Sequence, residues 1–185
     1  MFLGIFMVMM TVVSTVQASQ IKELQSPSIK VVVSEQRLYL FDGARVIKTY
    51  PVSTSKNGTG NQEGSYQTPL GRHVIVKKIG KNARLNTIFI DRKDTGRVAE
   101  IDFSQKGASG DLITSRILWL GGLEPGLNRG SGIDSYKRFI YIHGTANEGL
   151  IGQPASNGCV RMKNEDVAEL FDLVNEKTPV LIVES

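Results

Sequence analysis

The sequence is poor in residues that form disulfides or bind metals. Its 185 residues include one cysteine, Cys159, and two histidines, His73 and His143. A single cysteine cannot close a disulfide within the chain, and these Cys and His side chains are too few for a zinc cluster of the usual kind. We therefore predict no metal site and no cofactor, and a free thiol whose presence needs an explanation.

Charged residues are missing from the start of the chain. None of the first 21 residues is charged, and residues 2–13 are almost wholly apolar. With the small-residue site Val16-Gln17-Ala18, residues 1–18 are typical of a secretory signal peptide cut after Ala18, although a Lys or Arg near the start is lacking. An uncleaved membrane anchor over residues 1–21 and a buried core helix stay open as alternatives. We expect the rest of the chain to be exported, and to contact a membrane only if this segment is retained.

Long basic tracts and repeats of glycine with aromatic residues are also absent, which argues against a nucleic-acid partner. The net charge is +4 and the sequence pI is about 9.2. This balance fits either an anionic polymer or membrane surface as partner, or a solvated basic surface without a preferred partner. The length and the share of hydrophobic residues, 41%, are those of one globular domain.

Short β-branched and aromatic runs between turn residues predict a mostly β fold. After a polar linker over residues 19–28, one domain should occupy residues 29–185 as a sandwich or partly closed barrel of mixed strands. Strands are predicted over 29–34, 37–41, 44–53, 72–79, 83–90, 111–120, 138–142 and 180–183, with Asp42-Gly43 as the turn of a hairpin. Two stretches rich in glycine and small polar residues, 53–65 and 121–132, should be mobile loops.

One segment has the pattern of a helix. Val167, Leu170, Phe171 and Val174 recur at helical spacing and form one apolar face. With Asn164 as the capping residue and acidic residues in the first turn, a helix is expected over about 164–176, close to the cysteine.

The surroundings of Cys159 suggest acyl transfer through a thiol. A thiol becomes a good nucleophile when a base removes its proton. His143, at the end of an apolar run, is placed to be that base. Gly158 lets backbone N–H groups approach a substrate carbonyl, so the N–H groups of Gly158 and Cys159 are candidates for an oxyanion hole. Arg161 lies on the same face as Cys159 in an extended segment, and its charge should lower the pKa of the thiol.

Each of these residues also has a purely structural interpretation. Cys159 is equally consistent with an inert buried thiol, His143 with a core or turn histidine, and Arg161 with a surface ion pair to Glu165 or Asp166. His73, inside a predicted strand, is expected to be structural.

The order of the motifs favours catalysis. His143-Gly144-Thr145 followed by Ser156-Asn157-Gly158-Cys159-Val160-Arg161-Met162 closely resembles the signature of the L,D-transpeptidase catalytic domain of the YkuD type. The segments 36–41 and 50–58, and the turn Thr68-Pro69-Leu70-Gly71, are also similar to that family. The resemblance runs from about residue 29 to residue 183, and 91–138 is interpreted partly as a family-variable insertion. Many members have His where this chain has Asn157.

The resemblance implies a role for each matching residue. Cys159 would be the nucleophile and His143 the general base, oriented through the carbonyl of Gly144. Gly158 and Cys159 would form the oxyanion hole, and Arg161 would bind anionic groups. The residues implied to shape the loop or line the substrate pocket are Ser156, Asn157, Thr145 and Tyr141.

The implied substrate is the stem peptide of peptidoglycan, in the periplasm or cell envelope. The thiolate would attack the carbonyl at the L-centre of diaminopimelate, release D-alanine and pass the acyl group to an amine. That amine belongs to a second stem, giving a 3→3 cross-link, or to a lysine of a wall lipoprotein, whereas water gives hydrolysis. Sensitivity to carbapenems is implied as well. There are two alternatives, a sortase-like transpeptidase and a non-catalytic wall-binding module. The sequence does not contain the Thr-Leu-x-Thr-Cys motif that is typical of sortases.

Overall fold

The computed structural model describes residues 24–107 and 110–185. Within them the chain forms ten strands, one α-helix and a short 3-10 helix at Glu148–Leu150. The predicted signal peptide, residues 1–18, and the first part of the predicted linker, residues 19–23, lie outside the described residues. Across the described ranges, no helix has both the length and the apolar character needed to span a membrane.

The strands belong to one mixed sheet. In chain order they are β1 (Pro27–Val32), β2 (Arg37–Asp42), β3 (Arg45–Pro51), β4 (Gly71–Ile79), β5 (Thr87–Ile90), β6 (Lys93–Val98), β7 (Ile113–Gly122), β8 (Tyr141–Thr145), β9 (Val160–Met162) and β10 (Pro179–Val183). The order is β3-β2-β1-β10-β4-β7-β5-β6, and β8 and β9 branch from β7. An isolated bridge between Ser53 and Arg161 connects the two ends, but no ladder among the described residues closes the sheet into a barrel. The mostly β fold of mixed strands with one main helix is confirmed.

The main core lies between one face of this sheet and the helix α1 (Asn164–Leu173). Because side chains alternate along a strand, β7, β8 and β9 send Leu118, Ile142 and Val160 into this core. Their neighbours in sequence point to the opposite face. The strands that build the site are therefore fixed from behind by apolar packing.

The helix is shorter than predicted and begins differently. Lys163 occupies the N-cap position without a side-chain capping bond, and Asn164 is the first helical residue. The N–H of Asn164 instead donates to a carboxylate oxygen of Glu148 at 2.8 Å. At the other end, Val174 is buried and extended, and Lys78 Nζ donates to the carbonyls of Phe171 and Val174. These contacts stop the helix at Leu173 rather than near residue 176.

The predicted strand over residues 138–142 is wrong in its first half. Residues 135–139 form turns, and β8 begins only at Tyr141. The N–H of Arg138 donates to the carbonyl of Asp134, and Phe139 has φ +58°, so this apolar run is turned rather than extended.

The segment 91–138 contains both irregular and central structure. Its strand β7 pairs with β4, β5 and β8, so this part belongs to the centre of the sheet. The edge strand β6 also lies here, and its sequence Lys-Asp-Thr-Gly-Arg-Val lacks the apolar alternation from which a strand is predicted. Variation of this segment among relatives stays a prediction.

Candidate active site

The register of three neighbouring strands places the predicted catalytic residues on one face. Trp119 of β7 pairs with Tyr141 of β8, and β8 and β9 run parallel with His143 opposite Arg161. Cys159, directly before β9, packs against the cluster that contains Trp119 and Tyr141. The sheet thus brings His143, Arg161 and Cys159 together on the face away from the main core.

His143 is held in one orientation by its own strand. Its side chain is 1% exposed, and Nδ1 lies 2.7 Å from the carbonyl oxygen of Gly144. A carbonyl only accepts, so Nδ1 carries the proton and Nε2 keeps its lone pair. Burial lowers the pKa of His143, while the charge of Asp111 and the bond to Gly144 oppose that shift. The imidazole is therefore neutral near pH 7 and able to take a proton.

Only glycine fits at position 144, because Asn164 and Thr114 approach its Cα closely. A Cβ at this position would lie 2.6 Å from Oδ1 of Asn164 and 2.7 Å from the carbonyl oxygen of Thr114. The buried Asn164 side chain fills this space, because it accepts from the hydroxyls of Thr114 and Ser115 and donates to the carbonyl of Thr145. Asn164 thus joins the start of the helix to β7 and β8 directly behind the histidine.

Cys159 has a protonated thiol at rest. The residue is partly exposed, but the groups packed round its sulfur desolvate it and raise the pKa of the thiol to about 12. The N–H of Tyr141, 3.4 Å from Sγ, works in the opposite direction, as does the charge of Arg161. Arg161 lowers the pKa of the thiol as predicted, but desolvation outweighs this charge, so the pKa is raised overall. A base must therefore take the proton as the thiol attacks.

The loop before Cys159 is fixed by two buried hydroxyl groups. Ser156 Oγ donates to the carbonyl of Cys159 at 2.6 Å and accepts the N–H of Gly158 at 3.2 Å. Thr68 Oγ1 donates to the carbonyl of Gly158 and accepts the N–H of Ser55, each at 3.0 Å. Gly158 itself has φ +117°, a conformation that favours glycine. Gly158, the residue before the nucleophile, is thus held at both its N–H and its carbonyl group.

Arg161 has a partner that the sequence did not indicate. Its Nη2 lies 2.5 Å from Oδ2 of Asp111, at the start of the segment that leads into β7, and the arginine side chain is 4% exposed. The amide of Asn157 also donates to Asp111 Oδ2, at 3.3 Å. Asp111 therefore links the catalytic loop to the central strand. Arg161 therefore does not pair with Glu165 or Asp166, because these residues belong to α1, which packs on the other face of the sheet.

The remaining predicted pocket residues differ in position. Tyr141 lies beside the nucleophile, and its hydroxyl accepts from Arg92 at 3.3 Å. Asn157 is exposed and borders a cavity of about 300 Å³ that is also lined by Tyr66 and Arg138. The side chain of Thr145 is fully buried and accepts the N–H of Asn147, so it supports the end of β8 rather than lining a pocket.

Comparison with known proteins agrees with this geometry. The model of the YkuD family, the L,D-transpeptidase catalytic domain, matches residues 26–182. The chain belongs to the L,D-transpeptidase family. A putative L,D-transpeptidase YkuD of Bacillus subtilis is 48% identical over 154 residues, which are 83% of this chain and 64% of that protein. The chain thus spans less than two thirds of the length of this relative.

Solved L,D-transpeptidases share the fold. An enzyme from Mycobacterium smegmatis superposes with a TM-score of 0.53 at 15% identity, covering 85% of this chain and 58% of that one. LdtMt1, solved in complex with imipenem, gives 0.51 at 16% identity, covering 85% of this chain and 59% of that one. At this identity the likeness concerns the fold alone.

Three residues around this candidate site, Thr68, Asp111 and Arg92, were not identified from the sequence as partners of the predicted catalytic residues. Thr68 carries a signal, since it begins the Thr-Pro-x-Gly turn that resembles the family. Asp111 and Arg92 carry none, because each is distant in sequence and reaches the site only through strand pairing. Among residues 24–107 and 110–185, no group of three or more His, Cys, Asp or Glu side chains is placed to hold a metal.

Proposed function

We propose that this protein is an exported cysteine L,D-transpeptidase that acts on the stem peptides of peptidoglycan in cell wall biogenesis. The observation that carries the proposal is the shared sheet face of Cys159, His143 and Arg161, with the Nδ1 of His143 fixed on Gly144. A protonated thiol and a neutral imidazole are the resting partners that general-base catalysis requires.

In the first half-reaction, Cys159 Sγ attacks the carbonyl carbon at the L-centre of diaminopimelate. The thiol proton passes to Nε2 of His143 as the sulfur–carbon bond forms. Collapse of the tetrahedral intermediate breaks the bond to the terminal D-alanine, whose amine leaves with the proton from His143. A thioester on Cys159 remains.

In the second half-reaction, an amine attacks the thioester and its proton passes to Nε2 of His143. The new amide bond forms as the sulfur–carbon bond breaks, and Cys159 regains its proton. The amine comes from a second stem, which gives a 3→3 cross-link, or from a lysine of a wall lipoprotein. Attack by water instead would make the protein an L,D-carboxypeptidase.

The N–H groups of Gly158 and Cys159 are the proposed donors to the oxyanion. In the resting loop the Gly158 N–H is donated to Ser156 Oγ, and the hydroxyl of Ser156 is in turn engaged with the carbonyl of Cys159. A developing negative charge would draw this N–H from a neutral hydroxyl, since hydrogen bonds to charged groups are the stronger ones.

Mass spectrometry with a defined tetrapeptide muropeptide tests the proposal. We expect D-alanine release and a thioester on the wild-type protein, and a cross-linked dimer when an acceptor stem is added. Neither Cys159→Ala nor His143→Ala should form the thioester. Cys159→Ser, nearly isosteric, controls for correct folding by circular dichroism.

A sorting-signal peptide, offered in parallel, separates this proposal from a sortase-like activity. Absence of D-alanine release from the tetrapeptide by folded wild-type protein would contradict the proposal, and so would unchanged release by Cys159→Ala. Release without dimer formation would identify hydrolysis as the second step.

A further inference from the structure

A guanidinium group lies over the aromatic side of the site. Arg92 occupies the turn between β5 and β6, and its guanidinium carbon is 5.2 Å from the ring centre of Trp119 and 5.0 Å from that of Phe139. Its Nη1 donates to the hydroxyl of Tyr141 at 3.3 Å. Stacking on two rings restricts the arginine and fixes where its charge is presented.

The same residues touch the nucleophile. The N–H of Tyr141 is 3.4 Å from Cys159 Sγ, and Sγ lies 3.5 Å from the carbonyl oxygen of Phe139. Arg92 thus contacts the side chains of two residues, Tyr141 and Phe139, whose backbone groups contact the reacting sulfur. A substrate that lies over these two residues and is attacked at Cys159 would bring one of its groups to the guanidinium.

The guanidinium of Arg92 forms no ion pair within the described residues, although Tyr141 and the adjacent Asp91 raise its pKa. Only Arg72 and Arg161 form ion pairs among the described arginines, so the absence of a carboxylate within 4.0 Å is common to most of them. What distinguishes Arg92 is its fixed position over two aromatic rings. A guanidinium has five N–H donors in a fork that matches a carboxylate. The fork of Arg92, positioned but without a counterion, is suited to an external carboxylate.

The turn that carries Arg92 is strained. Asp91 has φ +48° and Arg92 φ +67°, the conformation that such two-residue turns normally give to Asn-Gly or Asp-Gly. A side chain in this region costs free energy relative to glycine. Arginine at this position is therefore poor for the turn, and strained residues of this kind are concentrated at ligand-binding sites.

We infer that Arg92 is a specificity-determining residue that binds a carboxylate of the acyl-donor peptide. This inference rests on the proposed function. Two carboxylates of a tetrapeptide stem have the required chemistry, that of the terminal D-alanine and that at the D-centre of diaminopimelate. The first is on the leaving residue, the second is at the far end of the diaminopimelate side chain, and amidation removes the charge of either one separately.

Binding measurements that do not depend on turnover test the inference. In the Cys159→Ala protein, the dissociation constant is measured by calorimetry for three probes: the free-acid tetrapeptide, its D-alanine amide and its diaminopimelate D-centre amide. Replacing a charge-assisted pair weakens binding about 10- to 100-fold. On the Cys159→Ala protein, we expect one of the two amides to bind this much more weakly than the free acid. Adding Arg92→Ala should weaken binding of the free acid by the same factor. With Arg92→Ala, that amide and the free acid should bind equally.

Two further variants separate recognition from folding. Arg92→Gly relieves the left-handed turn, so the protein should stay folded while it loses the same discrimination. Lys93→Ala removes an exposed charge from the same hairpin without a contact to the rings, and should bind all probes like its parent. Equal discrimination between acid and amide with and without Arg92 overturns the inference, as does failure of the free acid to bind. Arginine-dependent binding without D-alanine release by the wild type contradicts only the proposed function.

Discussion

Replacing Thr68 by valine should separate the effect of one buried hydroxyl from that of side-chain volume. Thr68 is fully buried, and its hydroxyl both donates to the carbonyl of Gly158 and accepts the N–H of Ser55. Valine has nearly the same shape but forms neither bond. A buried carbonyl and a buried N–H would then lose their partners next to the nucleophile.

The magnitude follows from these two groups. Each unsatisfied buried polar group costs about 1–3 kcal/mol, so Thr68→Val, which leaves two such groups, should lower the free energy of unfolding by about 2–6 kcal/mol. Thr68→Ser keeps the hydroxyl and loses one methyl group, at a cost of about 1 kcal/mol. The rate of thioester formation should fall in the valine variant and persist in the serine variant, because Gly158 is the residue before Cys159.

Urea unfolding of the three proteins gives the free energies, and intact-mass spectrometry gives the rate of thioester formation. Comparable slopes with urea would show that the variants unfold to a similar extent. If Thr68→Val proved as stable as Thr68→Ser within 0.5 kcal/mol, a difference smaller than the least expected loss, the hydroxyl would not hold this loop.

Three other outcomes follow from the charges and the thiol. Asp111 opposes the lowering of the His143 pKa by burial, so Asp111→Asn should move the acidic limb of kcat/KM to lower pH, whereas Asp134→Asn should leave it unchanged. Burial lowers the pKa of His73 to about 4. The unfolded histidine binds a proton near pH 6.5 and the folded one only near pH 4, so this group should lower the unfolding free energy as pH falls through that window, by up to about 3 kcal/mol. His73→Gln should lose less stability than wild type between pH 7 and pH 4, and an equal loss would contradict this. Imipenem should add its mass to the wild-type protein and not to Cys159→Ala; an adduct on both would place the reaction elsewhere.

Local patterns predicted most elements of this fold. The predicted hairpin of β2 and β3 is present, although its turn residues are Gly43 and Ala44 rather than Asp42 and Gly43, because Asp42 still pairs with Arg45. The apolar face of Val167, Leu170 and Phe171 is buried as expected. In each case the residues that decide the element lie within a few positions of one another. The strand predicted over 138–142 was wrong in its first half, because the carbonyl of Asp134 accepts the N–H of Arg138 and holds the chain in a turn. The apolar character of these residues does not reveal this hydrogen bond.

The candidate site was predicted only as far as its motifs reach. The order of His143, Gly158, Cys159 and Arg161 along the chain indicated a nucleophile with a base. The partners of these residues come from elsewhere: Asp111 binds Arg161, and Asn164 packs against Gly144. Nothing in the sequence near the motif specifies such contacts, because only the packing of the helix and the strands in space brings these residues together.

The sequence by itself determined the family, most of the strands and the candidate reactive pair, since each depends on short ordered patterns of residue types. The tertiary structure decided the state of that pair. Desolvation is a property of the assembled surroundings, and it raises the pKa of Cys159 although an arginine lies two residues away. Assembly also neutralises Arg161 with Asp111 and leaves the guanidinium of Arg92 without a carboxylate partner among the described residues. Charges act through distance in space, which the linear chain does not contain.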